Sequence, residues 1–281
     1  MSYIDSLPDF ITKFHESTHS SDDAAYMQLL SATNTTPSTD KMMELRKLVL
    51  RQGLTSAAQQ PVVEFGGLTL RAVVWKLLLG SLYMDADQYI SLVKAGPTDL
   101  DAKIRDDTFR TYRGDADFWN TVSESTLARV LNAYVRKCSH AKNTVDNTYV
   151  QGMNVILAPL LYVMPSELDA FTAFDTLITR HSPQYSAAGL DGQHHGCALV
   201  DRLLLILDPE LHQHIHGHIR DTEIFAFQFI ATLLACMRPL PEVLIVWDAI
   251  LAFGTHFNVI LFCVHLVLHR DDLLAADTAY K

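Results

Sequence analysis

Apolar residues recur along this chain at every third or fourth position, and the interruptions fall where helices stop. Met42, Leu45, Leu48 and Val49 follow the capping residues Ser38, Thr39 and Asp40, and Gly53 comes after the last turn. Leu70, Val73, Val74, Leu77 and Leu78 form a second stripe, closed by Gly80. Asp85 is placed to cap a helix carrying Tyr89, Leu92 and Val93, which stops at Gly96-Pro97. Leu127, Val130, Leu131, Tyr134 and Val135 repeat the spacing, as do Leu168, Phe171, Phe174 and Leu177 behind Ser166. Val200, Leu203, Leu204 and Leu207 precede Asp208-Pro209. Asp221 opens an apolar helix expected to run to near Pro239; Pro241 starts another that ends at Gly254, and Phe257–His269 supplies one more. No segment alternates with a period of two over any length, so the expected fold class is all-α.

Polar stretches divide the chain. Residues 1–40 read as a polar lead, loose over Ser17–Asp40 apart from a short helix near Ala24–Leu30. Residues 41–270 read as one helical domain and 271–281 as a short acidic tail, while Lys137–Thr148 is mixed in charge and reads as a loop.

Composition narrows the class. With 281 residues, 49% of them hydrophobic, and a mean hydropathy of +0.11, the chain can bury a sizeable interior. The most apolar stretches, Val155–Met164 and Phe225–Met237, are interrupted by Pro159, Gln228 and Thr232. None reaches the roughly 18 residues of a membrane span, so no transmembrane segment is expected. Met1-Ser2-Tyr3-Ile4-Asp5 lacks the basic start and apolar block of a secretory signal. The net charge of -10 argues against a nucleic-acid partner. Cys138, Cys197, Cys236 and Cys263 show no CxxC spacing and read as small buried hydrophobes of a reducing compartment, the cytoplasm or nucleus.

Two strings carry candidate chemistry. Ile104, Asp107 and Arg110 lie at i, i+3 and i+6, which sets Asp107 beside Arg110 on a helix. Taken alone, this is a common solvated ion pair; taken as chemistry, the carboxylate restricts a guanidinium that can fork onto phosphate oxygens. Tyr149-Val150-Gln151-Gly152-Met153-Asn154 places a glutamine before a glycine that permits positive φ. Gln151 reads either as an ordinary residue at a helix start or as an amide that donates to an oxygen and accepts from a water. Arginine and glutamine together are the side chains that GTP hydrolysis requires.

The two strings occur in order with Arg71…Trp75 upstream and Trp247-Asp248…Gly254 downstream. This set resembles the TBC domain of Rab-type GTPase-activating proteins, with its RxxxW, IxxDxxRT, YxQGMN and late WD…G motifs, over about Leu45 to His269. Leu92–Arg113 and Thr148–Met164 are similar to the small fungal mitotic-exit and septation checkpoint members. The resemblance implies a two-lobed helical domain that supplies catalytic residues in trans, with Arg110 as the arginine finger and Gln151 as the glutamine finger. Asp107 would hold Arg110; Tyr149, Gly152 and Asn154 would shape the loop presenting Gln151; Arg71, Trp75, Trp247 and Asp248 would be structural. It also implies a small Ras-superfamily GTPase as partner, which itself binds the magnesium and GTP. A second, scaffold-like subunit and a place at the spindle pole body are further implications. Members of the family continue through more helices past the segment matching Phe257–His269, so an abbreviated C-terminal lobe with exposed apolar helix faces is expected.

The competing expectation is a TBC-fold binding scaffold without activating chemistry. A stand-alone hydrolase is less expected, since the sequence lacks GxxxxGK[ST], GxSxG and HExxH. His212/His216 and His214/His218 each have the i,i+4 spacing of a metal pair, with His194-His195 upstream. Glu210 is the only acid within that run, so a solvated polar face, and no metal, is the expectation.

Overall fold

The computed structural model describes residues 22–31, 38–54, 61–62, 68–83, 85–140, 149–185 and 189–276. Its helices are α1 (Asp22–Ser31), α2 (Thr39–Gln52), α3 (Leu70–Leu79), α4 (Ala86–Lys94), α5 (Asp101–Arg110), α6 (Ala116–Thr121) and α7 (Glu124–His140). They continue through α8 (Met153–Val163), α9 (Glu167–Thr176), α10 (Asp191–Leu207), α11 (Pro209–His218) and α12 (Glu223–Ala231). The last are α13 (Leu240–Phe253), α14 (Phe257–Leu268) and α15 (Arg270–Ala275). A two-stranded ribbon, β1 (Pro61–Val62) with β2 (Leu68–Thr69), pairs Pro61 with Thr69 and Val62 with Leu68 antiparallel. The architecture is thus all-α with one minimal ribbon.

Local chemistry sets the helix starts. Side-chain oxygens of Ser38, Thr69, Asp85, Asp115, Ser166 and Asp208 accept from the first-turn amides of α2, α3, α4, α6, α9 and α11. Gly80 closes α3 in the left-handed region, φ 69°.

The helices form two lobes. In the first, α7 packs on α4, α5, α8 and α9; in the second, α10 packs on α11, α12 and α14. Helix α13 bridges them: it touches α8 of the first lobe and α14 of the second, and also α2 and α3. One continuous cluster of buried apolar side chains runs through both, with Trp75 and Trp247 fully enclosed and their rings 5.7 Å apart.

The structure corrects several boundaries. The short helix expected near Ala24–Leu30 is α1, a little longer at each end; it buries Tyr26 completely, and the Tyr26 hydroxyl donates to the Gly53 carbonyl at 2.8 Å. Helix α12 stops at Ala231, well before Pro239. Leu233 and Leu234 then turn with φ 52° and 64°, and the Leu233 carbonyl accepts from the Trp247 indole at 3.0 Å. Asp271 and Asp272, expected in the tail, belong to α15, which packs on α11. Residues 141–148, most of the expected loop, and 277–281 lie outside the described residues, as do 1–21. Among the described residues, no helix is long and apolar enough to cross a membrane. Leu199, Leu205, Ile206 and Leu207 of α10 are exposed.

Candidate functional site

Arg110 is the last residue of α5, so its side chain leaves the helix end, and it is 64% exposed. Two bonds aim it: Nε donates to the Asp106 carbonyl at 3.1 Å, and Nη2 donates to Asp107 Oδ1 at 3.0 Å. The second is the contact that the i,i+3 spacing anticipated. Asp107 itself is buried, 7% exposed.

Gln151 is exposed in the turn that enters α8. Gly152 follows with φ 102° and serves as the N-cap position of α8, a conformation that disfavours any residue with a Cβ. The Gly152 amide donates to Asn154 Oδ1 at 3.2 Å, which folds the turn back on the helix start. Thr232, in the loop after α12, backs this turn: a Cβ on Gly152 would lie 3.4 Å from its methyl.

A single hydrogen-bonded network joins the two strings. The Tyr149 hydroxyl donates to Asp107 Oδ2 at 2.9 Å and reaches Asn154 Oδ1 at 3.3 Å. Asn154 Nδ2 donates to the Asp107 carbonyl at 3.1 Å and to Thr111 Oγ1 at 2.8 Å. Thr111 Oγ1 in turn donates to the same Asp107 carbonyl at 3.1 Å. Tyr149 and Asn154 therefore anchor Asp107 as well as the glutamine turn, a coupling that spacing alone does not reveal. Thr111 is the further participant, buried at 1% exposure. Burial, and then the neighbouring Asp107 charge, push the Tyr149 phenol far above its ordinary value, so it stays a donor. Lys103 lies over the Tyr149 ring at 5.5 Å, and Arg113 over the exposed Phe109 ring at 5.3 Å. These add cationic and apolar surface beside Arg110.

Arg71, Trp75, Trp247 and Asp248 lie apart from this network, in the interior. Arg71 Nε donates to Asp248 Oδ1 at 3.1 Å and Nη2 to Asp248 Oδ2 at 3.0 Å; Nη2 also meets the Leu54 carbonyl at 2.8 Å. The Trp75 indole donates to Asp248 Oδ1 at 2.6 Å.

The expectation that no acid completes the histidine spacing is corrected. Asp201 of α10, absent from the histidine run, faces His212 and His216 across the α10–α11 turn. The run itself holds only Glu210, so the missing acid lay outside the window in which an i,i+4 pattern is sought.

Residues 68–274 match the Rab-GTPase-TBC domain, and the chain belongs to this family. Among its relatives, cell division control protein 16 of Schizosaccharomyces pombe is 37% identical over 211 residues, 75% of this chain and 68% of that protein. Mitotic check point protein BUB2 of Saccharomyces cerevisiae is 34% identical over 246 residues, 84% of this chain and 79% of that protein. The Chlamydomonas flagellar RabGAP TBC domain superimposes with a TM-score of 0.72 at 20% identity, covering 98% of this chain and 87% of that one, a likeness of fold.

Proposed function

We propose that this chain is a GTPase-activating protein that docks on a GTP-loaded small Ras-superfamily GTPase and inserts Arg110 and Gln151 beside the γ-phosphate. The observation that carries this reading is the network centred on Asp107. It anchors an exposed guanidinium and an exposed glutamine turn to one buried aspartate, through its carboxylate and its backbone carbonyl, though they lie far apart in sequence. The guanidinium would offset charge developing on the phosphoryl oxygens, and the Gln151 amide would orient the attacking water. Magnesium and GTP belong to the partner. The chain is therefore an activator and not an enzyme in its own right. Similarity to proteins named for cell division control and the mitotic check point supports a role in mitotic-exit or septation control. A second, scaffold-like subunit and a place at the spindle pole body belong to the same proposal.

Single-turnover hydrolysis across a panel of GTP-loaded small GTPases tests it, with and without candidate second subunits. Arg110→Ala is expected to lower the stimulated rate by about 10³–10⁵-fold. Arg110→Lys should not restore it, because an ammonium lacks the planar fork. Gln151→Ala should lower it strongly, with docking largely kept in all three. Stimulation unchanged in Arg110→Ala removes the finger assignment. Binding without phosphate release by the wild type, on every GTPase it engages, turns the reading into a scaffold.

A further inference from the structure

Away from the Asp107 network, three side chains converge on one point between α10, α11 and the start of α12. Asp201 Oδ1 lies 3.0 Å from His212 Nε2 and 2.8 Å from His216 Nε2. These three donor atoms all lie within 4.8 Å of one another. The histidine rings face each other one helical turn apart, centroids 4.3 Å, as i,i+4 spacing dictates. Thr222 Oγ1 donates to the same carboxylate oxygen at 2.9 Å and orients it.

The backbone fixes this meeting. Gly196 lets α12 press against α10, where a Cβ would come within 2.5 Å of the Ile230 side chain. That close packing brings Thr222, just before α12, up to Asp201. Asp208 caps α11, and Arg270 Nε clamps Asp208 at 2.6 Å, which holds the first turn of the histidine helix in place. A surface pocket opens beside the trio, lined among others by His194, Cys197 and Glu223.

We propose that Asp201, His212 and His216 form a binding site for a divalent transition-metal ion of the zinc class, which clasps α11 to α10. Two imidazoles and one carboxylate are a ligand set that such an ion favours and that magnesium and calcium do not. A tetrahedral ion with bonds of about 2.0–2.1 Å holds its ligand atoms about 3.3 Å apart. The two Asp201–histidine separations reach that value by opening a few tenths of an ångström, and the two histidine nitrogens lie within 4.8 Å of each other. Each imidazole would present its Nε2 lone pair, its ring proton resting on Nδ1. Water from the pocket would take the fourth position. Thr222 would act as the outer partner that fixes the carboxylate.

The chain supplies its own control: His214 and His218 have the same spacing on the same helix, but His218 Nδ1 bonds the His214 carbonyl. The metal-free full chain is titrated with zinc alone in competition with a chromophoric chelator. The wild type and His214→Gln/His218→Gln are expected to take up one ion with equal affinity. His212→Gln, His216→Gln and Asp201→Asn are each expected to weaken it by more than about tenfold, and Thr222→Val by about tenfold. Zinc, but not magnesium, should raise the melting temperature of the wild type and leave that of Asp201→Asn unchanged. Asp201→Asn keeps the shape of the side chain, so it reports on the site even where a histidine variant folds poorly. Zinc uptake no tighter in the wild type than in Asp201→Asn, or uptake abolished by the His214/His218 pair alone, overturns the proposal.

Discussion

Asp107 serves several partners at once, and its carboxylate cannot lose one without cost. Oδ1 accepts from Arg110 and Oδ2 from Tyr149, while the backbone carbonyl accepts from Asn154. Tyr149→Phe keeps the ring but leaves a buried carboxylate oxygen short of its donor. A stability loss of about 1–3 kcal/mol is expected in chemical denaturation. The same substitution frees Asp107 to turn, so stimulated GTP hydrolysis should fall while GTPase binding is kept. Equal rates for Tyr149→Phe and wild type would show that Arg110 needs no such support. Gly152 makes a different point. At φ 102° an added Cβ meets only the Thr232 methyl at 3.4 Å, an ordinary contact. Backbone strain, and not collision, therefore governs Gly152→Ala, with a cost of about 1–2 kcal/mol expected in the same measurement.

At the scale of elements, α4, α7 and α9 are tied by Glu167. Its carboxylate accepts from Arg129 Nε at 2.9 Å and from the Tyr89 hydroxyl at 3.1 Å. The Arg129 hydrogen bond is the main reason that Glu167 titrates below its ordinary value of 4.5. A depressed carboxylate contributes stability that is fully present above its unfolded value and is lost as pH falls through the folded one. The stability difference between wild type and Glu167→Gln should therefore be level at neutral pH and shrink once pH drops below about 4.5. Denaturation curves at several pH values check this; a gap that persists into acid would locate the effect in packing and not in charge. Tyr89 and Leu92 were legible because an apolar face follows the cap Asp85, and the stripe of α7 because its other face is polar. The end of α12 was not legible for the opposite reason. Phe225–Met237 is apolar on nearly every side and carries no period to break. It ends where Leu233 and Leu234 turn with positive φ, and side chains of other helices hold the carbonyls there: Asn258 Nδ2 donates to Ile230 O at 3.1 Å and the Trp247 indole to Leu233 O. The candidate site shows the same division. The Asp107–Arg110 contact is local and follows from helical spacing. The bonds from Tyr149 and Asn154 to Asp107 join residues 42 and 47 positions apart, and Asp201 meets His212 from the neighbouring helix; no periodicity encodes either.

Over the whole molecule, one buried pair joins what lies far apart in the chain. Arg71 on α3 and Asp248 on α13 are each 3% exposed, and α13 is the helix that bridges the two lobes. Asp248→Ala would leave the Arg71 guanidinium and the Trp75 indole buried without the acceptor they share. The expected loss is about 3–5 kcal/mol, the cost of an uncompensated buried charge. Arg110→Ala, by contrast, removes an exposed ion pair and should shift stability by no more than about 1 kcal/mol. Paired denaturation and hydrolysis measurements are therefore expected to separate two kinds of arginine: Arg71, whose buried pair holds the fold, and Arg110, whose loss should lower the stimulated rate with little change in stability. Replacing both partners, Arg71→Met with Asp248→Leu, removes the buried charge altogether and should regain part of the stability. Recovery should stay incomplete, because Arg71 also serves the Leu54 carbonyl at 2.8 Å and Asp248 also serves the Trp75 indole at 2.6 Å. Full recovery in the double variant would mean that these two flanking bonds contribute nothing, and that the bridge between α3 and α13 rests on apolar packing alone.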